Sequence, residues 1–305
     1  MTIVSIDDKE LHLTNLEKVL YPRTGFTKGQ VINYYVQMAH FILPHISGKP
    51  ITLKRYPEGV DKDFFYEKQC PSHRPHWLST APVYSRHNED VVNYCLIDSV
   101  AALVWLANLA SIEIHPNLAM AKDVTRPTSM VFDLDPTEPA DLHDCADVAL
   151  MLRDMFEHLS LRSFIKTSGG KGMHLYVPLN TPVTYDQTKS FSNAIANLLE
   201  RQDPKRITAN MRKDLRPGKV FVDWSQNDQH KTTVAVYSLR AREMPTVSTP
   251  LQWKELEEVH RTGHIEKLIF QAPDVIKRVE KLGDIFAPVL KIKQHLPSLN
   301  KKSLS

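Results

Sequence analysis

The sequence is poor in the features that mark secreted and membrane proteins. Its 305 residues include three cysteines, Cys70, Cys95 and Cys145, and no Cys-x-x-Cys pair. So few and so widely spaced thiols disfavour a disulfide framework and favour a reducing compartment. The N-terminus has neither a signal segment nor an amphipathic presequence, and no apolar run approaches the roughly 20 residues that span a bilayer. These absences predict a cytoplasmic, soluble protein with no membrane partner.

Glycine is scarce, and the net charge is small. Ten glycines against twenty prolines favour ordered loops over flexible linkers. A formal net charge of +3 does not by itself indicate a nucleic-acid partner. Basic residues are nevertheless concentrated in segment 203–219. Such a run is commonly a solvated loop, but beside an acidic metal site it would suit a polyanionic substrate.

Helical and strand patterns alternate along the chain. Capping-box patterns at Thr14 and Thr27 predict helix starts, and segment 99–110 is apolar nearly all round, as a core helix is. The interspersed elements predict an α/β (α+β) protein with a central, mostly antiparallel sheet. Strands are predicted within 50–59, 112–115, 129–136, 163–179, 219–227 and 231–242. Helices are predicted within 13–22, 26–46, 140–159, 185–201, 249–259 and 273–292.

Two acids interrupt an apolar strand, SMVFDLDP, at 129–136. Strand alternation turns Phe132 to one face and both Asp133 and Asp135 to the other. Like charges on one face repel each other, and hard divalent cations such as Mg²⁺ and Mn²⁺ relieve that repulsion. The alternative is that Asp-Leu-Asp-Pro simply ends the strand in a turn.

A third acid, Asp223, ends the apolar strand in KVFVDWSQN. If it neighbours Asp133 and Asp135 in the sheet, three carboxylates converge. Such convergence is typical of the two-metal sites of phosphoryl and nucleotidyl transfer. The pattern therefore predicts these three aspartates as catalytic metal ligands.

The glycine-rich stretch TSGGKGMH, at 167–174, carries the complementary charge. Successive backbone N–H groups can bind an anion, Lys171 adds a positive charge, and Ser168 and His174 add hydrogen bonds. The spacing is not that of a Walker A loop. The alternative is a tight hairpin in which the glycines only supply positive φ. The lysine and the flanking polar residues favour phosphate binding.

Two histidine patterns are less specific. The stretch CPSHRPH spaces Cys70, His73 and His76 like partial zinc ligands, but no second half follows nearby. His115 ends an apolar strand, a position where a histidine is commonly packed.

Seven motifs occur in chain order: LTNLEKVLYP, DKDFFYEK, FDLDP, TSGGKGMHLYVPL, VFVDWSQN, KTTVAVYSLRAR and VSTPLQW. Together they resemble the polymerase domain of bacterial and archaeal ATP-dependent DNA ligase D. That domain belongs to the archaeo-eukaryotic primase superfamily and acts in non-homologous end joining. The resemblance covers nearly the whole chain.

The resemblance implies a role for each matching residue. Asp133, Asp135 and Asp223 match the metal-binding triad. Ser168, Lys171, His174, Gln226 and Arg240 match the triphosphate-binding residues, and His115 matches a residue of the nucleotide pocket near the sugar. Asn15, Lys18 and Lys28 match the pocket for the 5′-phosphate of a DNA end. Phe64 and Phe65 match aromatics that stack at the template, and Arg216 matches a basic-loop arginine that helps to order the nucleotide and metals.

Residue chemistry agrees with part of this assignment. Lys18 and Lys28 lie in the first turns of two predicted helices, where free N–H groups attract phosphate. Phe64 and Phe65 stand among charged neighbours and suit a stacking platform for bases. The alternative for the paired aromatics is packing under a loop.

The resemblance also implies a primase-polymerase fold, with an RRM-like antiparallel catalytic sheet, flanking helices and an N-terminal α/β module. We expect one domain over 1–295, followed by a tail at 296–305. Within it we expect a DNA-end-binding module at 1–125, the catalytic sheet at 126–250 and C-terminal helices at 251–295.

The expected function is DNA-end-directed nucleotidyl transfer that fills gaps and extends 3′ ends, with a preference for ribonucleotides. Its substrates would be NTPs or dNTPs, and its cofactors two Mn²⁺ or Mg²⁺ ions. The implied partners are DNA ends and gaps bearing a 5′-phosphate, Ku and a separate DNA ligase, in the cytoplasm at the nucleoid.

The chain departs from the family in two respects. It has no adenylation-type Lys-x-Asp-Gly, so we expect a stand-alone polymerase or an excised domain. Val236 stands where a proline is expected, which should alter the strand locally.

Two other classes of function stay open. A two-metal nuclease or phosphoesterase would have less need of the SGGKGMH motif and Arg240, and a non-catalytic end-binding module would have no need of three buried acids.

Overall fold

Six α-helices and a series of short strands alternate along residues 2–85 and 89–298, the part of the chain that the computed structural model describes. The helices are α1 (Lys28–Ile46), α2 (Val100–Asn108), α3 (Leu142–His158), α4 (Tyr185–Gln202), α5 (Trp253–Thr262) and α6 (Ala272–Leu282). Within these residues, none of the helices combines the length and the apolar character that crossing a bilayer requires.

The strands are β1 (Thr2–Ile6), β2 (Lys9–Leu13), β3 (Val19–Tyr21), β4 (Phe26–Thr27), β5 (Ile51–Arg55), β6 (Phe65–Glu67), β7 (Thr80–Ser85), β8 (Asp90–Cys95), β9 (Ser111–Pro116), β10 (Ala119–Met120), β11 (Asp123–Pro127), β12 (Ser129–Pro136), β13 (Phe164–Thr167), β14 (Met173–Pro178), β15 (Ile207–Thr208), β16 (Val220–Asp223) and β17 (Pro250–Leu251).

The described residues belong to two units. Unit 1 takes its residues from Met1–Val124, Thr232–Ser248 and Phe270–Asp284, and unit 2 from Thr125–Lys231, Thr249–Ile269 and Ile285–Ser305. The expected single domain, with three modules in sequence order, stays a prediction. The expected tail at 296–305 lies outside the described residues from 299 onward.

Unit 1 is built on a five-stranded sheet in the order β6-β5-β8-β7, with β9 also pairing with β5. Helix α1 begins where the sequence predicts, because Thr27 forms a capping box with Gln30. Helix α2 begins after its cap Ser99 and is buried along almost its whole length. The two helices pack against each other, which confirms the predicted core helix at 99–110.

Unit 2 is built on a six-stranded sheet in the order β15-β16-β12-β14-β13-β17. All its pairings are antiparallel except that of β15 with β16, so the predicted mostly antiparallel sheet is confirmed. Helix α3 covers one face, since the rings of Phe132 and Phe156 lie 5.4 Å apart. Strand alternation therefore places Asp133 on the opposite face.

Two predicted elements are wrong. Segment 13–22 forms a turn followed by β3, because the Lys18 N–H donates to the Asn15 carbonyl and Asn15 has a positive φ of 53°. Segment 231–242 forms no strand. Tyr237 has a positive φ of 65°, and the Leu239 N–H donates to the Tyr35 hydroxyl rather than to a neighbouring strand. Backbone carbonyls, such as that of Ile114 for the Ala235 N–H, and a few distant side chains, such as that of Glu113 for the Ala241 N–H, thus satisfy this backbone.

One disulfide is present, although the few, widely spaced cysteines disfavour a disulfide framework. Cys70 and Cys95 are joined in unit 1, with their Cα atoms 5.0 Å apart. The Cys70 N–H donates to the Asn93 carbonyl of β8 at 2.6 Å, which brings the loop cysteine beside the strand cysteine. The separation of 25 residues between the two cysteines did not predict this disulfide. Cys145 is free and buried.

Candidate functional site

The three predicted carboxylates lie at one end of the unit 2 sheet. Asp133 on β12 is paired in register with Asp223 on β16, and Asp135 is two residues further along β12, on the same face. The Gln226 Nε2 donates to Asp133 Oδ2 at 3.4 Å and to Asp223 Oδ2 at 3.2 Å. The sheet register thus makes neighbours of acids that are 90 residues apart, while their role as metal ligands stays a prediction.

The negative charge of this cluster is only partly compensated. Partial burial, followed by the charge of Asp133, raises the pKa of the Asp135 carboxyl above its ordinary value. The charges of Arg216 and Lys171 act in the opposite direction. A group whose pKa is raised by its like-charged neighbours is one that a cation would stabilise.

The donor set fits a hard divalent ion, because Mg²⁺ and Mn²⁺ prefer carboxylate oxygens. Within residues 2–85 and 89–298, however, no three His, Cys, Asp or Glu side chains stand close enough together to hold a metal ion as they are placed. The same finding gives no support to a zinc site at Cys70, His73 and His76, which the sequence disfavours.

The glycine-rich turn lies against the acidic strand. It joins β13 to β14, and the Ser168 hydroxyl accepts hydrogen bonds from the N–H groups of Gly170 at 3.1 Å and Gly172 at 3.3 Å. A Cβ at Gly172 would collide with the Leu134 carbonyl oxygen of β12, so only glycine permits this approach. Two of the N–H groups predicted to face an anion therefore stabilise the turn itself.

Two of the predicted triphosphate-binding residues of this turn differ in exposure. Lys171 is exposed and pairs with the exposed Glu138 at 3.1 Å. His174 is buried on β14, with its Nε2 3.3 Å from Asp133 Oδ1 and its Nδ1 2.9 Å from the Nζ of Lys166. Lys166 was not predicted as a site residue, and its signal in the sequence is a lysine within the strand FIKT.

Gln226 is held in place by the short turn that follows β16. Ser225 donates its backbone N–H to Asp223 Oδ1 at 2.9 Å. The buried Asn227 donates to the Val131 carbonyl at 2.7 Å and accepts from the Val131 N–H at 2.9 Å. The motif DWSQN is therefore clamped to the strand that carries Asp133. Sequence reasoning missed Lys231, whose Nζ contacts Ser225 Oγ and lies 3.8 Å from Asp223 Oδ2.

The basic segment 203–219 is largely paired internally, as a solvated loop would be. Arg212 pairs with Asp214, and Lys219 donates to the Pro204 carbonyl at 2.7 Å. Arg216 differs, because its guanidinium lies 3.5 Å from the centre of the Phe221 ring. Phe221 is paired in register with Asp135, which places Arg216 at the acidic end of the sheet, and its charge lowers the pKa of Asp135.

In unit 1, the predicted nucleotide-binding residues His115 and Arg240 share one buried carboxylate, that of Glu113. The His115 Nε2 lies 2.8 Å from Glu113 Oε2, and the Arg240 Nε lies 3.2 Å from Oε1. Lys54, directly opposite Glu113 in the β5–β9 pairing, has its Nζ 3.6 Å from Oε2. Burial alone would raise the pKa of Glu113, but the hydrogen bond from His115 and the charges of Arg240, His115 and Lys54 outweigh burial and hold it well below its ordinary value.

Glu113 was missed by sequence reasoning. It repeats the pattern found at Asp133 and Asp135, since Glu113 and His115 are two residues apart in an apolar strand and therefore share a face. The same alternation argument could have found it.

The aromatic pair Phe64 and Phe65 is exposed, and the alternative of packing under a loop does not hold for rings that are 49% and 44% accessible. Lys54 lies 4.3 Å from the centre of the Phe64 ring and 5.4 Å from that of Tyr66. Tyr66 is a third exposed ring on this surface that the sequence analysis did not include.

Asn15, Lys18 and Lys28 lie close together in unit 1, but not as two helix starts. Lys18 closes the 15–18 turn and pairs with Glu58 at 2.8 Å. The buried Lys28 donates its Nζ to the Thr14 carbonyl at 2.7 Å. The first N–H groups of α1 are taken by the carbonyls of Lys18 and Leu16. The expectation that free N–H groups attract phosphate here is therefore wrong, and only the side chains are available for that role.

A comparison with protein families matches residues 27–286 to the LigD primase-polymerase domain. The chain belongs to the LigD primase-polymerase family. The polymerase domain of Mycobacterium tuberculosis ligase D, solved in complex with DNA, superposes with a TM-score of 0.85 at 38% identity, covering 93% of this chain and 99% of that domain. This match confirms the α/β primase-polymerase fold, and family membership makes the chain a polymerase, that is, a nucleotidyltransferase.

Two curated LigD proteins illustrate the relationship. The multifunctional non-homologous end joining protein LigD of Mycolicibacterium smegmatis is 40% identical over 283 residues, covering 92% of this chain and 36% of that protein. The multifunctional non-homologous end joining DNA repair protein LigD of Mycobacterium tuberculosis is 40% identical over 291 residues, covering 92% of this chain and 37% of that protein. The chain thus spans little more than a third of the length of these LigD relatives.

Proposed function

We propose that this chain is a DNA-end-directed nucleotidyltransferase that fills gaps and extends 3′ ends during non-homologous end joining, with ribonucleotides preferred. The observation that carries the proposal is the arrangement of side chains at one end of the unit 2 sheet. There Asp133 and Asp223 are paired in register, and a lysine-bearing glycine turn lies against the same strand. The names of the LigD relatives and the DNA bound by the solved polymerase domain support the biological setting.

In this proposal Asp133, Asp135 and Asp223 hold two divalent ions, Mg²⁺ or Mn²⁺, which supply charge neutralisation to a triphosphate and its leaving group. Lys171 and Arg216 provide positive charge that acts on Asp135. His174 and Gln226 provide N–H donors beside the carboxylates. A nuclease has less need of such donors, since it binds no triphosphate.

In unit 1, Lys18 and Lys28, with Asn15, bind the 5′-phosphate that bounds a gap. The exposed rings of Phe64 and Phe65 stack on the template where the duplex stops. His115 and Arg240 contribute to nucleotide binding. The partners we propose are DNA ends and gaps, Ku and a separate ligase, and the location is the cytoplasm at the nucleoid.

The decisive experiment is primer extension on a gapped duplex by the Asp135→Ala variant. We expect nucleotide addition to fall at least about 100-fold, because one of three metal ligands is lost, while DNA binding is retained. Without metal, the variant should melt at the same or a higher temperature than the wild type, since a like charge has been removed. NTPs should be used more efficiently than dNTPs by the wild type.

The matched control is Asp154→Ala, which removes an exposed carboxylate from α3 and should leave extension unchanged. Near-normal extension by Asp135→Ala would exclude the metal assignment. Degradation of the labelled primer by the wild type in the absence of nucleotides would favour the nuclease instead.

A further inference from the structure

A row of charged and polar side chains crosses four strands of the unit 2 sheet. Lys166 on β13 is in register with His174 on β14, His174 with Asp133 on β12, and Asp133 with Asp223 on β16. Residues directly opposite each other on paired strands share a face. The row therefore runs from a cation, through an imidazole, to two carboxylates.

The cation at the start of the row is enclosed. The Lys166 side chain is 0% exposed, and its Nζ lies 2.9 Å from His174 Nδ1 and 5.8 Å from the centre of the Tyr176 ring. A buried amine needs such partners, because losing its hydration is costly. The Lys166 Nζ contacts the Nδ1 nitrogen of His174.

The direction of that hydrogen bond follows from the chemistry of lysine. An ammonium has three donors and no acceptor, so Nδ1 of His174 must accept. The ring proton then belongs on Nε2, and Nε2 is the atom that lies 3.3 Å from Asp133 Oδ1. If Nδ1 carried the proton instead, its N–H would face the N–H groups of the Lys166 ammonium. The lone pair of Nε2 would then face the lone pairs of Asp133 Oδ1.

We propose that Lys166 is a positioning residue, which holds His174 as an Nε2–H donor directed at the carboxylate end of the sheet. The inference rests on the proposed function, because the same Nε2–H is the group that His174 would offer to a triphosphate oxygen. Lys166 itself touches neither nucleotide nor metal. Its effect passes through the orientation and the tautomer of one imidazole.

The test is the tautomer of His174 in the folded chain labelled with ¹⁵N-histidine. Long-range ¹H–¹⁵N spectra distinguish a protonated from an unprotonated ring nitrogen, and His174→Gln identifies the signals. We expect Nε2 to carry the proton in the wild type. In Lys166→Met, which keeps the buried stem and removes the donor, we expect signal from the Nδ1–H form.

The functional readout is direct NTP titration without turnover. Lys166→Met should bind NTP about three- to ten-fold more weakly, the loss expected for one misdirected hydrogen bond. Lys166→Arg, like the wild type, offers donors and no acceptor, so it should retain the wild-type tautomer and most of the affinity. Lys254→Met, at an exposed lysine on α5, is the matched control and should change neither readout.

A wild-type spectrum with Nδ1 protonated would overturn the proposal. So would a Lys166→Met spectrum identical to that of the wild type, or a changed tautomer with unchanged NTP affinity. If Lys166→Met does not fold, Lys166→Arg with Lys166→Leu provides the same comparison. If the wild type does not bind NTP, the proposed function is wrong. The tautomer spectra would still test the role of Lys166, because they do not depend on NTP binding.

Discussion

At the scale of single residues, buried charge in this chain is concentrated where function is proposed. Glu113 is 1% exposed and accepts contacts from three basic side chains, those of Lys54, His115 and Arg240. A buried carboxylate of this kind is stable only while its partners remain. Its loss would leave cations without compensation inside unit 1.

We therefore expect Glu113→Gln to lower the free energy of unfolding by about 3–5 kcal/mol, the typical cost of removing one partner from a buried ion pair. Urea denaturation measures this change. Lys54→Met in the Glu113→Gln background should recover part of the loss, since it removes one uncompensated charge. Glu10→Gln, at an exposed carboxylate, should cost less than about 0.5 kcal/mol. A Glu113→Gln variant as stable as this control would contradict the argument.

At the scale of elements, the important feature is the approach of the β13–β14 turn to β12. Gly172 has no side chain, and this alone lets the turn lie against the Leu134 carbonyl. The turn carries Lys171, and Leu134 separates Asp133 from Asp135. The closeness of two backbones thus sets the distance between the proposed triphosphate-binding turn and the carboxylates.

Gly172→Ala should displace the turn and weaken NTP binding at least about ten-fold, because the new Cβ cannot share space with the carbonyl oxygen. Overpacking of this kind costs about 1–3 kcal/mol of stability. The control Gly263→Ala adds a Cβ in open space at a residue with positive φ, so it should destabilise unit 2 without changing NTP affinity. Wild-type NTP affinity in Gly172→Ala would show that the turn is a structural hairpin.

At the scale of the whole molecule, a net charge of +3 cannot provide strong attraction to DNA in general. The proposed recognition of DNA ends therefore depends on local groups, such as the lysines near the 15–18 turn. Burial, followed by the charges of Lys18 and Arg55, lowers the pKa of Lys28 to about 8. Lys28 is therefore charged below about pH 8 and progressively neutral above it.

The proposed recognition of a DNA end should therefore depend on both pH and salt. We expect tighter binding to a gapped duplex with a 5′-phosphate than with a 5′-hydroxyl, measured by fluorescence anisotropy. The preference should decline as the pH rises from 7 to 9, because the terminal phosphate keeps its charge while Lys28 loses its proton. It should also shrink at high salt.

The control is Lys28→Met, which should show a smaller preference with no pH dependence in this range, whereas Lys18→Ala should keep the pH dependence. Equal wild-type affinities for the two duplexes would mean that these lysines are ordinary surface and packing residues.

Local patterns in the sequence were enough to predict the mostly antiparallel sheet, most helices and the placement of Asp133 and Asp135 on one face of a strand. Those features depend on alternation and capping, which act between residues a few positions apart. The resemblance added the family, which the comparisons confirm. The same alternation would have identified Glu113 and Lys166 as well.

Contacts between distant residues decided the rest. The register of β16 against β12 brings Asp223 to Asp133, the close approach of Gly172 positions the turn, and the fold joins Cys70 to Cys95. The irregular segment at 231–242 takes part of its hydrogen bonds from distant residues, such as Ile114 and Tyr35, that local patterns do not include. A strand or helix pattern describes how a segment can bury its own apolar face. Which polar groups then meet depends on pairing across the fold, and only the tertiary structure contains that information.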